Sequence, residues 1–152
     1  MIVLDTNVIS ELMHPHGEPR IVAWLDEQQA DEVYLTAVTT AELRYGVARL
    51  PNGRRKADLA ARVQRTIEED FTGRVLSFGD DAAAHYADIV IDRERCGLAM
   101  SMADAQIAAI CRHRGAGLAT RNTKDFVHTG IDVIDPCKTT ASEYPASQSS
   151  RP

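Results

Sequence analysis

The 152-residue chain has too few cysteines, in too irregular a pattern, to be held by disulfides: Cys96, Cys111 and Cys137 are odd in number and show no paired spacing. That usage suits reduced thiols in a cytoplasm better than a secreted framework. No zinc-ligating spacing is present, and the longest apolar stretches fall far short of the ~20 residues a membrane span requires. No charged-then-apolar leader precedes the first apolar run. Together these absences predict a soluble, cytoplasmic protein. The histidines (His14, His16, His85, His113 and His128) form no HExxH or paired-base pattern and read as solvated or partly packed side chains. Gly115 and Gly117 make no G-x-G-x-x-G loop, which leaves a dinucleotide-binding module without support. The one tryptophan, Trp24 in "IVAWLDE", reads as an apolar-face anchor, and no internal repeat is visible.

What is present begins with size and charge. A chain of this length buries roughly two thirds of its unfolded surface and needs neither disulfide nor metal merely to fold. The formal net charge of −5 argues against a generic nucleic-acid coat. Its distribution is uneven: from Arg44 to Arg74, eight basic residues stand against four acidic ones. Within that segment Arg54, Arg55 and Lys56 have no acid immediately before them, which makes them the best candidates for gripping phosphates, although such a helix face is also compatible with plain solvation.

Short β-type runs alternate with longer helical patterns. Strands are expected at Ile2-Leu4, Val33-Thr36, Arg74-Ser77, Gly117-Thr120 and Asp132-Ile134, and helices near 19-29, 40-50, 54-71, 81-95 and 103-114. Leu59, Val63 and Ile67 put an apolar stripe on the third helix, with Asp58 and Arg62 spaced for an ion pair outside it. Strands alternating with helices imply an α/β fold, with a parallel sheet covered on both faces. The ordered domain is expected to span 1-137; the tail 138-152, rich in Ser and Thr with Pro145 and Pro152, reads as disordered.

Ligands of open parallel sheets bind beyond the carboxyl ends of the strands. Asp5 stops the apolar run of "MIVLDTNVIS" at such an end. Glu42 follows the second strand in "YLTAVTTAELRYG", Asp104 opens the helix of "SMADAQIAAI", and Asn122 and Asp125 follow the fourth strand in "LATRNTKDF". Each acid has a bland reading. Asp5 is a good helix cap, Thr39-x-x-Glu42 and Ser101-x-x-Asp104 fit capping boxes, and Asn122-x-x-Asp125 fits a similar cap. Asp104, however, lies in line with Ile107, Ala108 and Cys111, so its carboxylate should be partly buried. Several carboxylates at one sheet edge repel one another unless a divalent cation joins them.

"LDTNVIS", "TAELRYGV", "ADAQIAA" and "LATRNTKDF" resemble, in order, the four signature segments of PIN-domain ribonucleases, and more narrowly those of the VapC and FitB toxins of bacterial toxin–antitoxin pairs. The resemblance runs from Met1 to about Pro136. It implies a PIN-like three-layer fold with a five-stranded parallel sheet, Mg²⁺- or Mn²⁺-dependent cleavage of RNA, homodimers and inhibition by a cognate antitoxin. Carried over by position, it implies that Asp5, Glu42 and Asp104 are metal ligands or near-ligands. Some relatives have Asp where this chain has Asn122, which leaves Asn122 as a neutral ligand or water-holder and Asp125 as the nearest remaining carboxylate. Thr6 and Asn7 match the motif around the first acid. Thr120 and Arg121 lie where a hydroxyl and a cation could meet water or phosphate, with turn chemistry as the bland alternative.

Hard oxygen ligands suit Mg²⁺, which keeps positions open for phosphate and water. Hydrolysis would leave a 5′-phosphate and a 3′-hydroxyl without a side-chain nucleophile. The rival readings are weaker. A haloacid-dehalogenase-like phosphatase needs a second acid where Asn7 stands, and a receiver-type switch needs an acidic pair near the first strand, where only Asp5 is found. A non-catalytic RNA-binding module is the remaining alternative.

Overall fold

The computed structural model describes residues 1–139. Among them, five strands form one sheet in the order β3-β2-β1-β4-β5, from β1 (Ile2–Leu4), β2 (Val33–Thr36), β3 (Val75–Leu76), β4 (Gly117–Ala119) and β5 (Val133–Ile134). All four pairings are parallel, with Ile2 opposite Val33 and Gly117, and Leu4 opposite Ala119. The chain builds outward from β1 to β3, then crosses to the other side for β4 and β5. Strand order therefore reverses between β1 and β4, and the crevice at that reversal is where such sheets take ligands.

Six α-helices flank the sheet: α1 (Thr6–Met13), α2 (Pro19–Asp26), α3 (Ala37–Ala48), α4 (Arg54–Arg65), α5 (Asp80–Arg95) and α6 (Met102–Arg114). The two-residue period of the strands sorts the core into halves. Ile2 and Leu4 face a cluster with Val8, Ile9, Trp24, Leu43 and Val63, while Val3 faces the opposite cluster with Ile89, Ile107, Ile110 and Leu118. Trp24 is only 3% exposed, the apolar anchor its sequence context suggests. Leu59 and Ile67 pack against the same core as Val63, so the predicted stripe is real. α6 ends at Gly115, whose φ of 61° is the left-handed conformation that closes a helix without strain.

Several expectations need correcting. The helical pattern misses α1, because Thr6, Val8 and Ile9 are β-branched and favour strands locally; burial of Val8, Ile9 and Met13 overrides that preference. Regular α-geometry ends at Arg65, and Thr66–Asp70 continue as a wider π-type turn, with the Phe71 amide donating to Thr66 at 3.0 Å. Asp58 pairs with Arg54 (3.9 Å) instead of Arg62. Arg62 donates to the Met13 carbonyl at 2.8 Å, since the open end of α1 lies within its reach. At Lys138 the amide donates to the Asp135 carbonyl and the ammonium pairs with the Asp135 carboxylate, both at 3.0 Å. The rest of the expected disordered tail, from residue 140, lies outside the described residues.

Candidate active site

Asp5 occupies the junction of β1 and α1 directly beside the reversal in strand order. Its backbone amide donates to the Ala119 carbonyl at 2.9 Å, continuing the β1–β4 ladder one step past the strand. Its side chain then caps α1, accepting from the Thr6 amide at 2.7 Å. The capping reading is therefore correct as far as it goes. The other carboxylate oxygen accepts from the Thr120 hydroxyl at 2.6 Å and from Asn7 Nδ2 at 2.8 Å. Three donors around one carboxylate that is 5% exposed are more than a cap requires.

Those donors form a braced unit. Asn7 also donates to Thr120 Oγ1 at 3.1 Å and accepts from the Arg121 amide at 3.1 Å, while the Asn122 amide donates to Thr120 Oγ1 at 3.0 Å. The loop after β4 is thus tied to the start of α1 across more than a hundred residues of sequence. Burial pushes the Asp5 carboxyl above its ordinary range; the bonds from Thr120 and Thr6 oppose this, and the charges of Asp104 and Glu42 add to it. That repulsion comes from the other two acids, which lie within electrostatic reach of Asp5. Cys111 lies beneath: burial first, then the Asp5 charge, push its thiol up, which keeps it protonated and inert.

Glu42 is not a capping residue. α3 begins three residues earlier than expected, where Thr36 at the end of β2 caps it by accepting from the Thr39 amide at 3.0 Å. Glu42 sits in the second turn and accepts a hydrogen bond from the Thr6 hydroxyl. Asp104 does sit in the cap predicted for it, its amide donating to Ser101 Oγ at 3.1 Å. That hydroxyl in turn donates to the Asp104 carboxylate at 2.7 Å. Asp104 is half-buried, as the stripe of buried Ile107, Ala108 and Cys111 demands. Each of the three acids therefore rests on a hydroxyl: Asp5 on Thr120, Glu42 on Thr6 and Asp104 on Ser101.

The fourth position separates. Asn122 joins the unit only through its amide, and Asp125 is exposed on the short turn Thr123–Phe126. The expected side-chain cap between them is absent: the Asp125 amide bonds to the Asn122 carbonyl at 2.9 Å, backbone to backbone. Arg121 pairs with Glu11 at 2.5 Å. Arg93, 3% exposed, donates its guanidinium to the carbonyls of Val127 and of Ala99 (3.1 Å), pinning the loops on either side of the site. Nothing local in the sequence marks Glu11 or Arg93, since both act on distant segments.

Arg54, Arg55 and Lys56 open α4. Arg55 shares a groove of about 330 Å³ with Thr6 and Glu42, so the basic cluster adjoins the acids. Arg54 is engaged by Asp58, and Lys56 donates to the Ala48 carbonyl (3.2 Å) and Asn52 Oδ1 (3.3 Å).

The donor set is hard oxygen throughout and carries mutual repulsion that a divalent cation would relieve, so Mg²⁺-type chemistry fits it. Among the described residues no three His, Cys, Asp or Glu side chains are gathered closely enough to hold an ion as they stand. His85 and His113 approach to 6.1 Å between ring centroids, but they do not join this site.

The profile of the PIN domain family matches residues 2–131. The chain is 43% identical over 136 residues to toxin FitB of Neisseria gonorrhoeae, covering 90% of this chain and 98% of that protein. To the VapC ribonuclease Y4jK of Sinorhizobium fredii it is 41% identical over 136 residues, covering 90% and 97%. The fold is similar to the crystal structure of FitAcB from Neisseria gonorrhoeae, with a TM-score of 0.86, 42% identity, and 91% and 100% coverage. A structure of FitAB bound to an IR36 DNA fragment is similar to the same degree, with a TM-score of 0.86 at 42% identity, covering 91% of this chain and 97% of that one.

Proposed function

The chain belongs to the PIN-domain family, and on that premise we propose that it is a metal-dependent endoribonuclease, the toxin of a bacterial type II toxin–antitoxin pair, acting through Asp5, Glu42 and Asp104. One observation carries the site assignment: Asp5 is buried, braced by three donors, and electrostatically opposed by the other two acids. A cap alone would need one such donor and no such neighbours.

Asp5, Glu42 and Asp104 would hold Mg²⁺ or Mn²⁺, with the hydroxyls of Thr6, Thr120 and Ser101 orienting them. When bound, such an ion supplies Lewis-acid charge at the scissile phosphodiester and acidifies the attacking water. Asn7 and Thr120 keep Asp5 in one rotamer, so little ordering remains at the moment of reaction. Asn122, exposed beside Thr120, is a neutral water-holder in this reading, and Arg121, on the same loop, meets phosphate once Glu11 releases it. Asp125 is the more distant candidate. Arg54, Arg55 and Lys56 provide the positive charge that holds the polyanion.

Cleavage of RNA by the purified chain in Mg²⁺ or Mn²⁺, abolished by a chelator, tests the activity; cleavage unaffected by the chelator would overturn it. Binding of the ion has its own readout. Because the Asp5 carboxyl is raised on folding, the metal-free fold loses stability as pH rises through that group's titration, and protons compete with the ion below it. Millimolar Mn²⁺ should therefore raise Tm by several degrees at pH 8 and by much less at pH 5. A pH-independent shift would place the ion elsewhere.

An open carboxylate pocket also invites an arginine from a partner. The similar FitAB is bound to an IR36 DNA fragment, and by analogy this chain should pair with a cognate antitoxin, a small DNA-binding protein that copurifies with it and suppresses its nuclease activity. Equal activity with and without that protein would exclude the pairing. Homodimerisation is likewise proposed by analogy. Among the described residues no helix is long and apolar enough to cross a membrane, consistent with a cytoplasmic site of action.

A further inference from the structure

The groove beside Glu42 holds more than metal chemistry uses. Thr6, Glu42 and Arg55 line it together with Leu43, Val47 and Leu59, which supply an apolar wall. Hydrolysis of a phosphodiester has no use for that wall. Resting on the ribonuclease reading, we propose that this groove is a base-selection pocket, which receives one unpaired nucleobase of the RNA next to the scissile phosphate.

Three observations favour this occupant. The first is size: the groove's volume of about 330 Å³ accommodates a flat nucleobase. The second is charge. Glu42 disfavours an acidic peptide. Arg55 makes no ion pair or hydrogen bond among the described residues, whereas Arg54 and Lys56 on either side of it are engaged. A free guanidinium beside an apolar wall suits a nucleotide, since it can stack on the base or pair with the phosphate that bears it. The third is continuity. Glu42 itself lines the groove, so a base held there belongs to a nucleotide adjoining the reacting centre.

Gly46 lines the groove from the last turn of α3, and a Cβ built there meets nothing within 4 Å. Gly46→Leu therefore fills the groove without straining the backbone, in a helix that favours Leu over Gly. The experiment measures kcat/KM on a short single-stranded RNA and on versions made abasic at each position around the cleavage site, in Mn²⁺, for the wild-type chain, Gly46→Ala and Gly46→Leu. Tm of each variant is the check on folding. For the wild type, removing one base beside the scissile phosphate should lower kcat/KM about five- to tenfold, the lower part of the range for a base stacked on a protein. Gly46→Leu should be slower by a similar factor on intact RNA, yet match the wild type on that abasic RNA, and Gly46→Ala should lie between.

Equal slowing of intact and abasic RNA by Gly46→Leu would overturn the proposal, because the side chain would then be obstructing the site and not displacing a base. So would a wild type indifferent to every abasic position, or a Gly46→Leu variant that cleaves normally and fails only to bind the antitoxin. A wild-type chain that cleaves no RNA at all would instead sink the ribonuclease reading on which the pocket rests.

Discussion

Replacing Asp104 with Asn should lower metal-dependent cleavage by at least about 100-fold, the scale on which loss of one preorganised charge-stabilising group acts, while leaving the metal-free protein as stable as the wild type or slightly more so. The geometry of Asp104 makes the two effects separable. Its contribution to capping runs through its backbone amide, which donates to Ser101 Oγ and survives the substitution. Its side chain merely accepts from that hydroxyl, a role the Asn carbonyl can fill. The charge that vanishes is one that opposes ionisation of Asp5, so its loss relieves repulsion. A residue serving only as a cap predicts the opposite pairing, roughly 1 kcal/mol of lost stability with activity kept. Thermal melting of the metal-free variant beside its cleavage rate distinguishes them. The Mn²⁺-dependent rise in Tm should shrink as well, because a ligand is lost.

The features of this site that are local in sequence were legible before the structure, and those that are not were hidden. Asp5 could be placed at a strand end because Ile2 to Leu4 are apolar in both directions of the pleat, as a central parallel strand must be. The partial burial of Asp104 followed from its helical phase with Ile107 and Cys111. The Thr39–Glu42 box failed for a different reason. Thr36, Thr39 and Thr40 all look like caps, and which one starts α3 depends on where β2 stops pairing with β3, at Thr36 opposite Leu76. Once Thr36 takes that role, Glu42 moves a turn deeper and meets Thr6. The brace of Asp5 by Thr120 joins residues 115 positions apart, and no periodicity reports such a contact. The groove was invisible for the same reason: it exists only where α1, α3 and the start of α4 meet, each contributing residues that look like ordinary helix faces.

Changing Arg54, Arg55 and Lys56 together to Gln should weaken RNA binding by up to roughly 50-fold at 0.15 M salt and leave kcat at saturating RNA nearly unchanged. The magnitude follows from counterion release. Each single-strand phosphate contact contributes a slope of about 0.7 in log affinity against log salt, which at 0.15 M amounts to about fourfold per contact, so three contacts multiply to that bound. The structure ranks the three residues. Arg54 must leave Asp58, and Lys56 must give up the Ala48 carbonyl and Asn52, before either can reach a phosphate. Arg55 has nothing to surrender and lines the same groove as Glu42. Arg55→Gln alone should therefore account for a full contact, lowering the slope by about 0.7, with Arg54→Gln and Lys56→Gln each contributing less. The loss should be similar across RNA sequences, since phosphates carry no sequence information. It should also appear in KM and not in kcat, because the acids are untouched. A salt slope unaltered in the triple variant would return the cluster to a solvated face. The positive charge that the polyanion needs would then have to come from Arg121, freed from Glu11, or from a second copy of the chain.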